Sequence, residues 1–511
     1  MRHLLRLALA GNALLLASPA LAEGNFSSFE NLKGGEGGSQ PAIQNFDERW
    51  GPVESESLSL VNLAPAVVAF FNNAPAFGLP GTVTGDITER TQLTGDWGGV
   101  RTDWARRGLF VDLYTTSTYQ SISGGLEEGG SFVHNSQLAV NIDTGRAGLW
   151  DGGLLHFSLQ SRYGDKAEDT LTGGASVPQY TGLVLPGPFL DENTLPSEYF
   201  ITQALSPQVA VVAGKISDIY IPDETMFSDS YKYYFANFNF NKSPMTPNFY
   251  NPTAWAALGV YTPTHWLALA GGVLDPNSQS DNFADDAFDK VNLYLMAIAS
   301  YDIAGLPGQF SPAFNWSNKP KLDLDDPFTG LTRSQVPHAV ETLLGGATAE
   351  GLPANYKDES WFAIANFSQY LYVTDAGPSL RSRMKNGQVI SGLGVFGRVG
   401  FAPEDTNPIT RYASLGLFGH GLLDSRPYDS FGIGFYYNAF SPKLKDAIKT
   451  LTAGTEEVED EKGMEIFYNL AITPAVRLIG SYQHIWNPYA AQVAEQQDST
   501  DVFTVRLTTS W

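Results

Sequence analysis

The sequence predicts an all-β protein, a 16-stranded antiparallel transmembrane β-barrel with a short N-terminal helix and a loosely ordered N-terminal extension. Three observations predict it. After Leu93 nearly everything divides into segments of about ten residues that alternate apolar and polar, the period of a strand with one face in lipid and one in water. The connections between segments are short and long by turns. The chain also keeps its pattern to the last residue: in DVFTVRLTTSW, Phe503, Val505, Leu507, Thr509 and Trp511 share one face, while Val502, Thr504, Arg506, Thr508 and Ser510 share the other.

The elements follow in order. Arg2 and Arg6 precede the short apolar run LALAGNALLLA, and Ala20-Leu21-Ala22 forms an A-x-A site, so residues 1–22 read as a signal peptide cleaved after Ala22. A spanning helix needs roughly 20 apolar residues, and neither this run nor the later LAPAVVAFF reaches that length. Residues 23–92 are rich in Gly, Ser, Pro and acids and read as an extension, either disordered or plug-like. The barrel domain occupies 93–511 and opens with DWGGVRTDWARRG, a short helix stopped by Gly108. Gly98 and Gly99 are expected to allow close helix packing at the barrel base.

Strands are expected at 109–120, 134–144, 153–163, 198–205, 208–216, 254–262, 265–274, 291–302, 307–317, 360–372, 389–402, 410–420, 429–441, 463–472, 475–486 and 501–511. The even-numbered connections are tight or moderate, among them SP, PT, AGLP and TP. The odd-numbered ones include the long stretches 164–197, 217–253 and 318–359. Short turns on one side and long loops on the other place the turns in the periplasm and the loops outside the cell.

Composition excludes several functions. The formal net charge is −23, and no basic stripe is available to track phosphates, so nucleic acid is not an expected partner. There is no cysteine, hence neither a disulfide framework nor thiol chemistry. The seven histidines lack metal-ligand spacing, and no GxSxG elbow is present, so neither metal nor cofactor is expected. The acid run TEEVEDEK at 455–462 reads as a solvated loop, with divalent-cation binding the alternative. Asp285 and Asp286 lie in a loop whose distance from any partner acid is not legible.

Alternation assigns faces. In GLLHFSLQSRY, Leu155, Phe157, Leu159 and Tyr163 face lipid, leaving His156, Ser158, Gln160 and Arg162 for the lumen. In LGVFGRVGF, Val395, Val399 and Phe401 face lipid and Arg398 points inward. The same parity puts Asp112, Gln137, Asn141, Glu198, Asn292 and Glu465 inside, because a charge facing lipid at mid-depth costs about 2–4 kcal/mol. These charges either line a pore or pair across the wall.

Several blocks resemble the carbohydrate-selective porins of the OprB family. They are LTGDWGGVRTDWARRGLFVDLYTTSTYQSISGG, PGQFSPAFNWSNK, ESWFAIANFSQYLY, GLGVFGRVGFAPEDTNP, SFGIGFYYN and EIFYNLAITPAVRLIGSYQHIWNP, kept in order over about 93–511. The extension at 23–92 and the unusually aromatic 218–253 segment depart from the pattern. The resemblance implies an outer-membrane porin with a narrow eyelet, passing small sugars passively into the periplasm. It also implies that the terminal aromatic is an assembly signal.

Sugars are neutral and hydroxylated with one weakly apolar face, so a selective constriction combines amide or charged groups with aromatics. The 218–253 segment supplies Phe227, Tyr231, Tyr233, Tyr234, Phe235 and Phe238 beside Asp229, Lys232 and Lys242, and is the best candidate to fold inward. Pore-lining candidates are therefore Arg162, Arg398, Glu198, Asp112, Gln160, Asn141, Tyr231, Tyr234, Lys232 and Asp229. Expected partners are sugars, outer-membrane lipid and lipopolysaccharide, and the barrel-assembly machinery. Association into a homo-oligomer is left open. The alternatives are a general or other-substrate porin, and an exported polysaccharide-active enzyme or sugar-binding protein.

Overall fold

A computed structural model describes residues 83, 85–88, 90–164, 193–206, 208–217, 233–250, 253–264, 266–278, 287–345, 347–374 and 391–511. The signal-peptide assignment, most of the extension, and Asp285 and Asp286 lie outside the described residues. Sixteen strands form one closed antiparallel barrel in which every strand pairs with its sequence neighbours. They are β1 (Leu109–Gly124), β2 (Gly129–Asp143), β3 (Gly153–Gly164), β4 (Asn193–Ser206), β5 (Val209–Ser217), β6 (Thr253–Thr264), β7 (Leu267–Leu274) and β8 (Asn292–Ile303). The second half comprises β9 (Leu306–Ser317), β10 (Ser360–Val373), β11 (Gly392–Phe401), β12 (Ile409–His420), β13 (Ser430–Phe440), β14 (Glu461–Thr473), β15 (Val476–Trp486) and β16 (Ser499–Ser510).

The strand number and loop parity are as expected, and boundaries differ where polar ends conceal strand. β1 runs on to Gly124 and β2 starts at Gly129, because Ser121, Ile122 and Ser123 pair with β2 and β16 although they look like turn. β4 begins at Asn193, five residues early, across a register shift between Ser158 and Leu159 of its partner that accommodates Pro196. Outside the barrel, Lys321–Leu322 and Tyr356–Lys357 form a small ribbon.

Closure pairs β1 with β16 from Tyr114 opposite Ser510 to Gly124 opposite Thr500. Phe503, Val505 and Leu507 are exposed to the outside, while Val502, Thr504, Arg506 and Thr508 are buried within. Trp511 continues the seam: its N–H donates to Leu113 O and its Nε1 to Thr115 Oγ1, each at 2.9 Å.

A helix sits against this seam. α1 (Val100–Arg106) follows a 3-10 turn and ends before Gly108, whose φ of +83° turns the chain into β1. Buried Arg101 donates to Trp511 O at 3.0 Å, Val111 O at 2.9 Å and Asp112 Oδ1 at 2.9 Å, tying helix, first strand and chain end together. Leu93 N donates to Ser510 O at 2.8 Å, so the end of the extension is seated at the same place. The expectation for Gly98 and Gly99 needs correction. Nothing lies within 4 Å of a Cβ added at either position; both are required because φ is +70° and +98° there.

Four further helical pieces belong to the long connections: α2 (Phe238–Asn241), α3 (Val336–Leu343), α4 (Pro442–Leu451) and α5 (Ala491–Ala494). Pro442 begins α4 at a position where its missing N–H costs nothing, and Ser441 caps Leu444 N. α3 and α4 pack together, Tyr489 OH donates to Leu343 O at 2.7 Å, and ion pairs Lys443–Asp325 and Lys357–Asp405 join neighbouring loops. The extracellular connections after β9, β11, β13 and β15 thus form one knit body. The acid run at 455–462 belongs to it. Lys449 pairs with Glu457, Lys445 with Asp460 at 2.6 Å, and Tyr489 N donates to Glu461, so these three acids are held by protein partners.

Candidate functional site

The segment after β5 enters the barrel. Residues 233–250 include YYFANFNFNK, in which small polar and aromatic side chains alternate. Asn237 Oδ1 caps α2 by accepting from Asn239 N at 3.0 Å, and Asn241 Nδ2 closes the turn on Phe235 O at 2.7 Å. These asparagines satisfy the backbone locally and free the aromatics to pack outward against the wall. Phe235 lies 4.8 Å from Phe467 and 5.5 Å from Phe396, Tyr234 lies 4.9 Å from Phe418, and Phe240 lies 6.0 Å from Tyr436, ring centre to ring centre. All four wall residues are inward-facing positions on β11–β14.

The wall makes room for these rings by omission. A Cβ at Gly432 would stand 2.7 Å from Phe235 Cζ, and one at Gly434 would stand 2.5 Å from Phe240 Cε1. Neither glycine has a positive φ, so the rings, not the backbone, demand them. Glu465 then clamps the segment: its two carboxylate oxygens accept from Ala236 N and Asn237 N, both at 2.8 Å. Asn469 Nδ2 donates to Tyr233 O at 2.7 Å and Asn237 Nδ2 to Gln483 Oε1 at 3.0 Å.

The adjoining sector of the inner wall has a different chemistry. From β16 through β4 many inward positions carry amides and hydroxyls bonded to one another, set among the charged side chains of Arg506, Asp112, Arg162 and Glu198. Gln120 Nε2 donates to Thr504 Oγ1 at 3.2 Å, Asn135 Nδ2 to Gln160 Oε1 at 3.4 Å, and Gln137 Nε2 to Ser158 Oγ at 3.1 Å. His156 bridges Asn141 Oδ1 at 2.7 Å and Glu198 Oε2 at 3.2 Å, its ring stacked on Phe200. Such an array holds amide groups in set orientations.

The sequence-derived candidates divide as follows. Arg162, Gln160 and Glu198 are buried inside this amide sector, with Asn141 half-buried beside them. Arg398 is buried inside β11, opposite Asn366 and Ser414, in a separate sector. Asp112 points inward but is committed to α1, accepting from Arg101 and from Gln92 Nε2 at 3.1 Å. Tyr234 is in the inward segment, its ring buried against the wall. Asp229, Tyr231 and Lys232 lie outside the described residues. Sequence reasoning placed Glu465 inside without its role as a clamp, and missed Phe240 and the three asparagines. The alternating NFNFN run and the inward glycines of GIGF were the available signals. Among the described residues no group of three or more His, Cys, Asp or Glu side chains could hold a metal ion.

A closed barrel of 16 strands is wide enough to leave an aqueous channel, and an inward segment narrows it, which defines the protein as a porin of the outer membrane. The family model described as "Carbohydrate-selective porin, OprB family" matches residues 127–511. The chain belongs to that family, whose members form passive, carbohydrate-selective pores. Among solved structures it is similar to the high-pH structure of Pseudomonas putida OprB, with 18% identity, a TM-score of 0.65, and coverage of 82% of this chain and 98% of that one. Pseudomonas aeruginosa OccK5 is more distant, with 9% identity, a TM-score of 0.42, and coverage of 79% of this chain and 98% of that one. No curated protein matches the sequence.

Proposed function

We propose that sugars cross the barrel along the amide-lined sector of β16 and β1–β4, with the inward segment on β11–β14 setting the width of the passage. The observation that carries this is the division of the inner wall. Aromatics and a buried carboxylate fasten the segment on one side, while the other side presents oriented amides, hydroxyls and Arg162. Hydroxyl groups exchange water for those donors and acceptors at little net cost. Arg398, Glu198, Gln160 and Asn141 are proposed as further solute contacts, along with Asp229, Tyr231, Lys232 and Tyr234. Passage is diffusive and involves no covalent step. Cleavage after Ala22, insertion by the barrel-assembly machinery and contact with lipopolysaccharide belong to the same proposal.

Liposome swelling tests it. Monosaccharides should enter faster than amino acids or organic acids of equal size, and Arg162→Ala and Arg398→Ala should slow monosaccharide entry. Equal rates for all three solute classes would mean a general diffusion pore.

A further inference from the structure

The knit extracellular loops enclose a cavity of about 340 Å³ directly beside the inward segment. Phe238 and Met245 come from that segment, Leu322 and Leu343 from the connection after β9, Phe440 from the end of β13 and Tyr489 from the connection after β15. Phe440 and Tyr489 are stacked, with ring centres 4.5 Å apart, and give the cavity one aromatic wall. Among the described residues no charged side chain lines it.

Apart from the hydroxyl of exposed Tyr356, the polar side chains that line it are already engaged. Asn248 Nδ2 donates to Asn407 Oδ1 at 2.9 Å and Thr406 O at 3.1 Å. Asn407 Nδ2 donates to Ser360 Oγ at 3.0 Å and Pro403 O at 3.1 Å. Thr342 Oγ1 donates to His338 O at 2.8 Å, and Tyr489 OH to Leu343 O at 2.7 Å. A free sugar buried here would lose hydrogen bonds to water without replacing them. An aromatic ring would lose none and would bury apolar surface against leucine, methionine and phenylalanine. The volume is at the small end of ligand pockets and suits a ring-sized group, not a long chain.

We propose that this cavity binds the apolar aryl group of an aryl glycoside, leaving its sugar outside the cavity beside the inward segment. The proposal rests on the reading of the protein as a sugar pore. It makes the mouth selective for glycosides bearing an aromatic aglycone over free sugars.

The test is block of ion current through the full chain in planar bilayers, comparing phenyl glucoside, methyl glucoside and phenol added from the loop side. Phenyl glucoside should block at concentrations about tenfold lower than methyl glucoside. Ala349→Trp, which fills the cavity from a half-exposed loop position, should abolish that advantage and leave methyl glucoside unchanged; heat-modifiable migration in detergent shows that the variant is folded. Leu343→Asn, which makes one wall polar, should weaken the advantage independently. Equal block by the two glucosides, or an advantage that survives both substitutions, would overturn the cavity assignment while leaving the sugar pore intact. Block by phenol and phenyl glucoside without any block by methyl glucoside would support the cavity and count against the sugar pore.

Discussion

Glu465 is fully buried, and both of its oxygens are filled by backbone N–H groups of the inward segment. Each such bond contributes about 1 kcal/mol net. Glu465→Ala should therefore release the segment while the barrel stays closed. Single-channel recording should show larger and noisier conductance with weaker sugar block; an unchanged trace would mean that the aromatic contacts suffice alone. Alternation was enough to place this carboxylate inside, because each strand residue's face is a local property. Its partner was not legible, since that depends on where a connection some 230 residues earlier enters the barrel. Asp112 has the same history: its inward direction was local, but Arg101, folding back from α1, decides what it does.

At the scale of elements, two contacts set the geometry of the passage. One is the seat of Phe240 on β13. Gly434→Leu places a side chain where that ring lies and should push the segment toward the lumen, lowering conductance and slowing sugar uptake in swelling assays; wild-type values would show that the ring repacks freely. The other is the ribbon that meets the segment at Lys321, whose Nζ donates to Asn248 O and lies 5.1 Å from the Phe249 ring centre. Burial, with Lys319 nearby, pushes the Lys321 ammonium down to about 7. A lysine depressed in the folded state destabilises that state fully below its folded value. The penalty is relieved as pH rises from about 7 toward the unfolded value near 10.5, where the unfolded chain holds the extra proton. Lys321→Met should thus raise the unfolding temperature in detergent at pH 6 and have little effect at pH 10. The opposite order would show that the charge is favourably held.

For the whole molecule, strand number, order and the side of the long loops were legible because a transmembrane barrel repeats one local rule sixteen times. What escaped was structure made by connections, where no period applies: the ribbon, the packed helices α3 and α4, and the cavity beneath them. Closure is the global event. Trp511 contributes a backbone bond to Leu113, an indole bond to Thr115 and an acceptor for Arg101, all at the seam. Removing Trp511 should lower the heat-modifiable fraction of protein recovered in the outer membrane and leave the conductance of inserted pores unchanged. Normal recovery would reduce the residue to an interfacial anchor.

Gly432 and Gly434 hold the inward segment by what they lack, and this bears on how such a pore changes over generations. A protein that sets its aperture with a bulky wall residue must replace that residue to alter it, at the cost of a void. Here a methyl added at Gly432 or Gly434, on a strand hidden behind the segment, would meet the ring of Phe235 or Phe240, which is expected to move the segment by a small increment. Glycine-to-alanine changes are single-base events, so solute preference in this lineage can drift in fine steps without disturbing either the barrel or the groups that touch the solute.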